Sequence, residues 1–190
     1  MLDEWFGVRP YDRSMLNDAG QLLICWWQLR LTETHAAAVE LDDECLFCRR
    51  MKERSLLKER LVYEDEYFHA SHHIAEKGSS LLGVVLLQSK RHVNDLSELD
   101  DSEAKDLGLL LKEVSRALKK TMKAPWTYCY SFLEGVRHVH VFVAARYDGL
   151  PREYLRLNIG EWPQAPVGGI PQVNELTSRL RVSLSEREIH

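Results

Sequence analysis

The chain has 190 residues, of which 45% are hydrophobic and 28% charged, and its formal net charge is -4. This is ordinary for a globular protein, and the length suffices for one domain with a sizeable core plus a modest extension. A weakly acidic chain carries no field that draws it to nucleic acid or to an anionic membrane, so any recognition of phosphate has to be local.

Residues 1–43 sustain no periodicity and read as an N-terminal extension, with an aromatic pair at Trp26-Trp27. The apolar run at 22–27 is far too short to span a bilayer, and it lacks the basic start and small-residue cleavage site of a signal peptide. A cytoplasmic setting is therefore expected. There, the four cysteines (Cys25, Cys45, Cys48, Cys129) point to metal ligation or thiols before disulfides. A domain is expected over 44–150. Residues 49–60 are rich in helix formers without Gly or Pro, which predicts a short helix following the Cys45/Cys48 pair. Leu61-Val-Tyr opens a strand reaching about His73, Gly78-Ser-Ser signals a turn, and 81–87 reads as a buried strand. Asp100 and Glu103 have capping-box spacing. The helix they start places Ala104, Leu107, Leu111, Val114 and Leu118 on one face, carries Lys119, Lys120 and Lys123 near its end, and stops at Pro125.

Two strands follow, at 127–132 and 137–146, with Glu134-Gly135 as a hairpin turn between them. Residues 151–190 form a C-terminal extension packing on the domain. It is Pro- and Gly-rich up to Gly169, and a last helix at 172–181 presents Val173, Leu176 and Leu180 on one side. The order of elements predicts an α+β fold with an antiparallel sheet, one long helix and short flanking helices.

Two local patterns carry chemistry. In Arg137-His-Val-His-Val-Phe-Val, strand alternation sends Val139, Val141 and Val143 into a core and His138, His140 and Phe142 to the other face. Two imidazoles beside a core are costly unless solvated, hydrogen-bonded or metal-bound. Cys45-Leu-Phe-Cys48 is half of a zinc site or a redox pair. The chain has no second pair of this kind, so a zinc site has to borrow histidines, and His92 and His138 are the candidates. His69, His72 and His73 form a third cluster, read as a second metal or phosphate site or as the polar edge of a pocket.

Taken in order, Cys-Leu-Phe-Cys, Leu-Val-Tyr-Glu-Asp-Glu, Lys90-Arg-His-Val, Asp95-Leu-Ser-Glu-Leu and Gly135-Val-Arg-His-Val-His resemble the histidine-triad (HIT) superfamily over about residues 44–147. The resemblance extends to the half-domain of galactose-1-phosphate uridylyltransferase. It implies that His140, the middle triad position, attacks the α-phosphate of a nucleotide and forms a covalent nucleotidyl-histidine. It also implies a structural zinc on Cys45, Cys48, His92 and His138, and a homodimer with a sheet continuous across both subunits. The chain departs from the family motif at the third triad position, where Phe142 cannot donate a hydrogen bond. His73 stands where relatives place a ribose-contacting Asp, and Ser131 or Glu134 lies near the position of a phosphate-contacting Asn. Arg137 and Arg146 flank the triad and either meet phosphate or are solvated strand-end charges. Two readings follow: a nucleotide hydrolase or nucleotidyltransferase, or a zinc-stabilised nucleotide-binding module that has lost turnover. A thiol redox protein using Cys45 and Cys48 is a third.

Overall fold

The computed structural model describes residues 45–52, 60–74 and 80–185. The N-terminal extension with Trp26-Trp27, residues 53–59 of the first expected helix and Gly78-Ser79 of the turn signal lie outside the described residues.

The first helix among the described residues, α1 (Leu46–Lys52), starts inside the cysteine pair rather than after it. Arg49 N donates to Cys45 O at 3.0 Å, which places Cys48 within the first turn. The strand expected from 61 to about 73 is a hairpin of β1 (Leu61–Glu64) and β2 (Phe68–His72). Its bend is made by Asp65, whose Oδ1 accepts from the backbone N–H groups of Tyr67 at 2.9 Å and Phe68 at 2.8 Å. A carboxylate imitating a backbone turn in this way can reverse the chain without Gly or Pro.

The apolar run at 81–87 is likewise interrupted. It divides into β3 (Ser80–Leu81) and β4 (Val84–Ser89) at Gly83, where φ is 78°. A Cβ there would lie 3.2 Å from Ala145 Cβ and 3.3 Å from Met122 Cε, so the left-handed turn requires glycine.

The long helix α2 (Asp101–Met122) has the expected cap: Asp100 accepts from Ser102 N and Glu103 N, and the Glu103 side chain accepts from Asp100 N. Its buried face is Leu107, Leu110, Val114, Ala117 and Leu118. Ala104 is exposed instead of buried, because the first inward position of this face belongs to Glu103, whose carboxylate is held by Arg91. Each large aliphatic side chain buried here contributes about 1.5–3 kcal/mol. Lys123, at φ 52°, closes the helix in the left-handed region.

Strands β5 (Trp126–Tyr130) and β6 (His140–Arg146) are shorter than expected, and residues 131–139 connect them as a loop in place of a tight turn at Glu134-Gly135. The reason lies on the other side of β6. Val139 N donates to Val93 O at 2.8 Å and Val139 O accepts from Ser89 N at 3.1 Å, so the segment before His140 is drawn away from β5. Strand β7 (Val167–Gly168) pairs with β3, and α3 (Ile170–Ser185) buries Val173, Leu176, Leu180 and Leu184.

The fold is α+β. Five antiparallel strands run in the order β1-β2-β4-β6-β5. Val85, Leu87, Val141 and Val143 share one core with the buried faces of α2 and α3. Val84, Leu86, Phe142 and Ala144 pack on the opposite face with Phe47 of α1. This second face carries the site. Among the described residues no helix is long and apolar enough to cross a membrane.

Candidate functional site

Three segments bring four residues together at the start of β6. The N-terminus of α1 brings Cys45 and Cys48, the segment after β4 brings His92, and the loop before β6 brings His138. Cys45 Sγ lies 3.4 Å from His138 Nδ1, and Cys48 Sγ lies 3.2 Å from His92 Nδ1 and 3.5 Å from His138 Nδ1. The four donor atoms all lie within 4.8 Å of one another. A tetrahedral zinc with ordinary Zn–S and Zn–N bonds has sulfur–nitrogen edges of about 3.5 Å, so the quartet already has the dimensions of such a site.

The surroundings fit as well. His138 is fully buried, and its Nε2 lies 2.8 Å from Ser89 O, to which it donates. That fixes the neutral tautomer with the Nδ1 lone pair turned to the cysteines, the outer-sphere arrangement expected of a ligating histidine. Burial pushes the His138 pKa down to about 4, which keeps the ring neutral. The backbone next to His92 is tied down by Arg91, whose guanidinium binds Glu103 at 2.8 and 2.5 Å and Glu98 O at 2.9 Å.

Two residues further on, His140 takes the opposite tautomer. Its Nδ1 donates to His138 O at 2.7 Å, so its lone pair sits on Nε2. The residue is buried at 5% exposure. Phe47 lies edge-on against both rings, with centroids 4.9 Å from His140 and 5.6 Å from His138. The two residues between the cysteines therefore do more than space the ligands: one of them seals the histidine pair from water. Nothing in the cysteine spacing signals this role.

Phe142 is buried and stacks on Tyr130 at 5.3 Å with an interplanar angle of 16°. It also meets His73 and His140 edge-on, both at 5.6 Å. The structure thus brings His73 beside Phe142, as one wall of the same surface. Burial, followed by neighbouring positive charge, holds the His73 pKa down at about 4, so at neutral pH it offers a hydrogen bond and no charge.

Ser131 Oγ donates to His140 O at 2.6 Å, which commits its hydroxyl proton to the backbone of β6. Ser131 and exposed Arg137 line an open cleft of about 530 Å³ together with Asn94, Asp95, Leu133 and Glu134. Arg146 is not brought to this place. It lies six residues along β6 from His140, about 20 Å away at strand rise, with its guanidinium 4.5 Å from the Trp126 ring centroid.

The histidine cluster of β2 divides between the two faces. His72 points into the core, its Nδ1 donating to His73 O at 2.7 Å and its Nε2 accepting from Gly83 N at 3.0 Å. Both nitrogens are used, and the residue is structural. His69 points to the site face and binds Gln88, a residue that sequence reasoning passed over.

With this geometry in place, comparison with known proteins is decisive. The family model of the HIT domain matches residues 54–149. The chain belongs to the HIT family.

No curated protein matches the chain by sequence. Among solved structures, the HIT domain is similar to a hypothetical histidine triad nucleotide-binding protein from Sulfolobus tokodaii strain7, at 24% identity and a TM-score of 0.57 over 76% of this chain and 96% of the other. A Zn-bound histidine triad family protein from Mycobacterium smegmatis is 19% identical, with a TM-score of 0.55 over 75% and 94% of the two chains. A uridylyltransferase mutant is 21% identical, with a TM-score of 0.59; the match spans 87% of this chain and 55% of that longer one. At these identities the likeness is one of fold.

Proposed function

We propose that this HIT domain is a nucleotide hydrolase or nucleotidyltransferase acting at the α-phosphate, with His140 as nucleophile. The observation that carries the reading is the His140 tautomer: a backbone carbonyl takes the Nδ1 proton, and Nε2 holds the lone pair at the start of a rigid, buried strand. An imidazole is the side chain best suited to this at neutral pH, where its neutral form dominates.

In the first step Nε2 forms a bond to the α-phosphorus while the bond from phosphorus to the leaving group breaks. The leaving group departs with the electron pair and takes a proton from solvent. In the second step the oxygen of water, or of another hydroxyl acceptor, bonds to phosphorus, the N–P bond breaks, and the acceptor's proton passes to solvent. Splitting the displacement in two is the gain of covalent catalysis. Phe142 has no proton to give a leaving group. Leaving groups that are already weakly basic, such as a phosphate or a sugar phosphate, therefore suit the site better than amines.

Cys45, Cys48, His92 and His138 would hold a zinc ion. With four protein ligands it would be structural, joining α1 to the approach of β6 and holding Phe47 over His140. The expected working unit is a cytoplasmic homodimer. Strand β5 is an edge of the sheet, so its outer backbone groups suit continuation into a second copy.

A second reading, nucleotide binding without turnover, is favoured by the aromatic wall of Phe142, Tyr130 and His73. One experiment separates the two. Wild type and His140→Ala are incubated with nucleoside phosphoramidates, dinucleoside polyphosphates and nucleotide sugars, followed by intact-protein mass and product chromatography. A nucleotidyl adduct or product confined to wild type supports the enzyme. Tight binding without product in either protein supports the module.

A further inference from the structure

The register of the sheet lines up three polar side chains across the site face: His69 of β2 opposite Gln88 of β4, and Gln88 opposite His140 of β6. All three are buried, at 4%, 3% and 5% exposure. Residues directly opposite in an antiparallel pair share a face, with Cβ atoms about 4.5–5.5 Å apart. The Gln88 side chain therefore leaves the sheet between those of His69 and His140.

His69 Nε2 donates to Gln88 Oε1 at 2.8 Å, which fixes the orientation of the amide and turns its NH2 group away from His69. That NH2 group is buried and has no hydrogen-bond partner among the described residues. A buried amide donor without an acceptor is costly and uncommon in folded proteins. A polar residue near the end of Val-Val-Leu-Leu-Gln-Ser, where an apolar one would extend the sheet surface, keeps such a donor on the strand position opposite His140.

We infer that Gln88 is a phosphate-binding catalytic residue of this site: its Nε2 donates to a non-bridging oxygen of the α-phosphoryl group, and His69 is its positioning residue. The inference rests on His140 being the group that meets phosphorus. The atom that bonds to His140 is phosphorus, so a donor beside His140 faces the oxygens attached to it. Phe142 supplies no donor from the third triad position, and the Ser131 hydroxyl is committed to His140 O. Gln88 reaches the same region from the neighbouring strand. It donates a hydrogen bond and keeps its proton, so it stabilises charge on the phosphoryl oxygens without entering the proton balance of either step.

The test pairs binding with turnover. Gln88→Leu keeps most of the volume and removes the donor; Gln88→Glu keeps the shape and presents an anion; His69→Leu releases the amide. Titration calorimetry measures each protein with the four common ribonucleosides and their 5′-monophosphates. The expected result is that wild type prefers monophosphate over nucleoside, and that Gln88→Leu lowers this preference by about tenfold or more with nucleoside affinity unchanged. Gln88→Glu should lower it further, and His69→Leu by less. On any substrate that wild type turns over, Gln88→Leu should lower kcat/KM by about 100-fold or more, with part of the loss in kcat. Gln88→Leu also loses the hydrogen bond from His69, so a modest fall in melting temperature is expected in either case; a residue serving the fold alone would show that fall and leave the preference intact.

Unchanged phosphate preference and unchanged kcat in Gln88→Leu overturn the inference, as does a wild type that binds none of the monophosphates. The two proposals fail separately. Loss of turnover in His140→Ala with no effect of Gln88→Leu removes only the role of Gln88. Loss of phosphate preference in Gln88→Leu, with no adduct or product in wild type, leaves the phosphate contact in place and removes the nucleophile.

Discussion

His138 and His140 are two residues apart, and both are buried beneath Phe47, yet the backbone gives them opposite chemistry. Ser89 O takes the Nε2 proton of His138 and turns its Nδ1 toward two thiols, whereas His138 O takes the Nδ1 proton of His140 and leaves the lone pair on its Nε2. Side chains alone do not distinguish the two. The difference is set by which carbonyl lies within reach, and so by the irregular backbone before β6. In the proposed reading, one ring holds a metal and the other attacks. Mutations should separate a stability function from a chemical one across a span of two residues.

The metal half should show the largest effect. Cys48→Ser, or chelation of the wild type, should remove several kcal/mol of folding stability, because binding energy at a structural zinc site is folding energy. Melting temperature and metal content by native mass spectrometry report it. A melting curve indifferent to chelator would remove the metal from this half of the comparison. The chemical half should respond in activity. His140→Ala should lower turnover by more than about 10³-fold, as expected for loss of a nucleophile. Its stability should fall by only about 1–2 kcal/mol. If instead His140→Ala unfolds the protein as Cys48→Ser does, the two histidines share one structural role.

A third imidazole supplies a reference that does neither job. His72 faces the core, and burial lowers its pKa to about 4. The unfolded chain binds its proton at about pH 6.5, so above that pH His72 makes no pH-dependent contribution. As pH falls from about 6.5 toward 4, the unfolded state gains the proton first and stability is lost, by about 3 kcal/mol in total for this group. Denaturant midpoints for wild type and His72→Gln over that range should diverge in slope, with the variant shallower.

The same three histidines mark what was legible in the sequence. Cys45-x-x-Cys48 with His92 and His138 was readable because metal ligands follow spacing rules, and the capping box and apolar face of α2 follow helix periodicity. Alternation put His138 and His140 on one strand. In the structure only His140 is in the strand, because Val93 and Ser89 take the backbone of Val139. Such long-range backbone pairing leaves no local pattern. Asp65 reverses the chain without Gly or Pro, and the two-residue strands β3 and β7 are too short for any period. Gln88 hid in an apolar run, and only the register of β4 against β2 and β6 gives it meaning.

Smaller effects sharpen the contrast within the chemical half. Phe142→His should restore a donor beside the leaving group and raise turnover of amine-leaving substrates by about 10–100-fold, with less gain for sugar-phosphate leaving groups. Equal gains on both classes would mean that Phe142 limits the reaction by shape instead of by proton supply. Arg146→Ala is expected to do least. It removes a guanidinium stacked on exposed Trp126, worth about 0.5–1 kcal/mol. Although Arg146 shares a strand with His140, it stands at the other end of β6, so kcat and KM should match wild type. A rise in KM on Arg146→Ala would bring the phosphate site along the whole length of β6, and the reacting face could no longer be confined to the start of the strand, where His138 and His140 lie two residues apart.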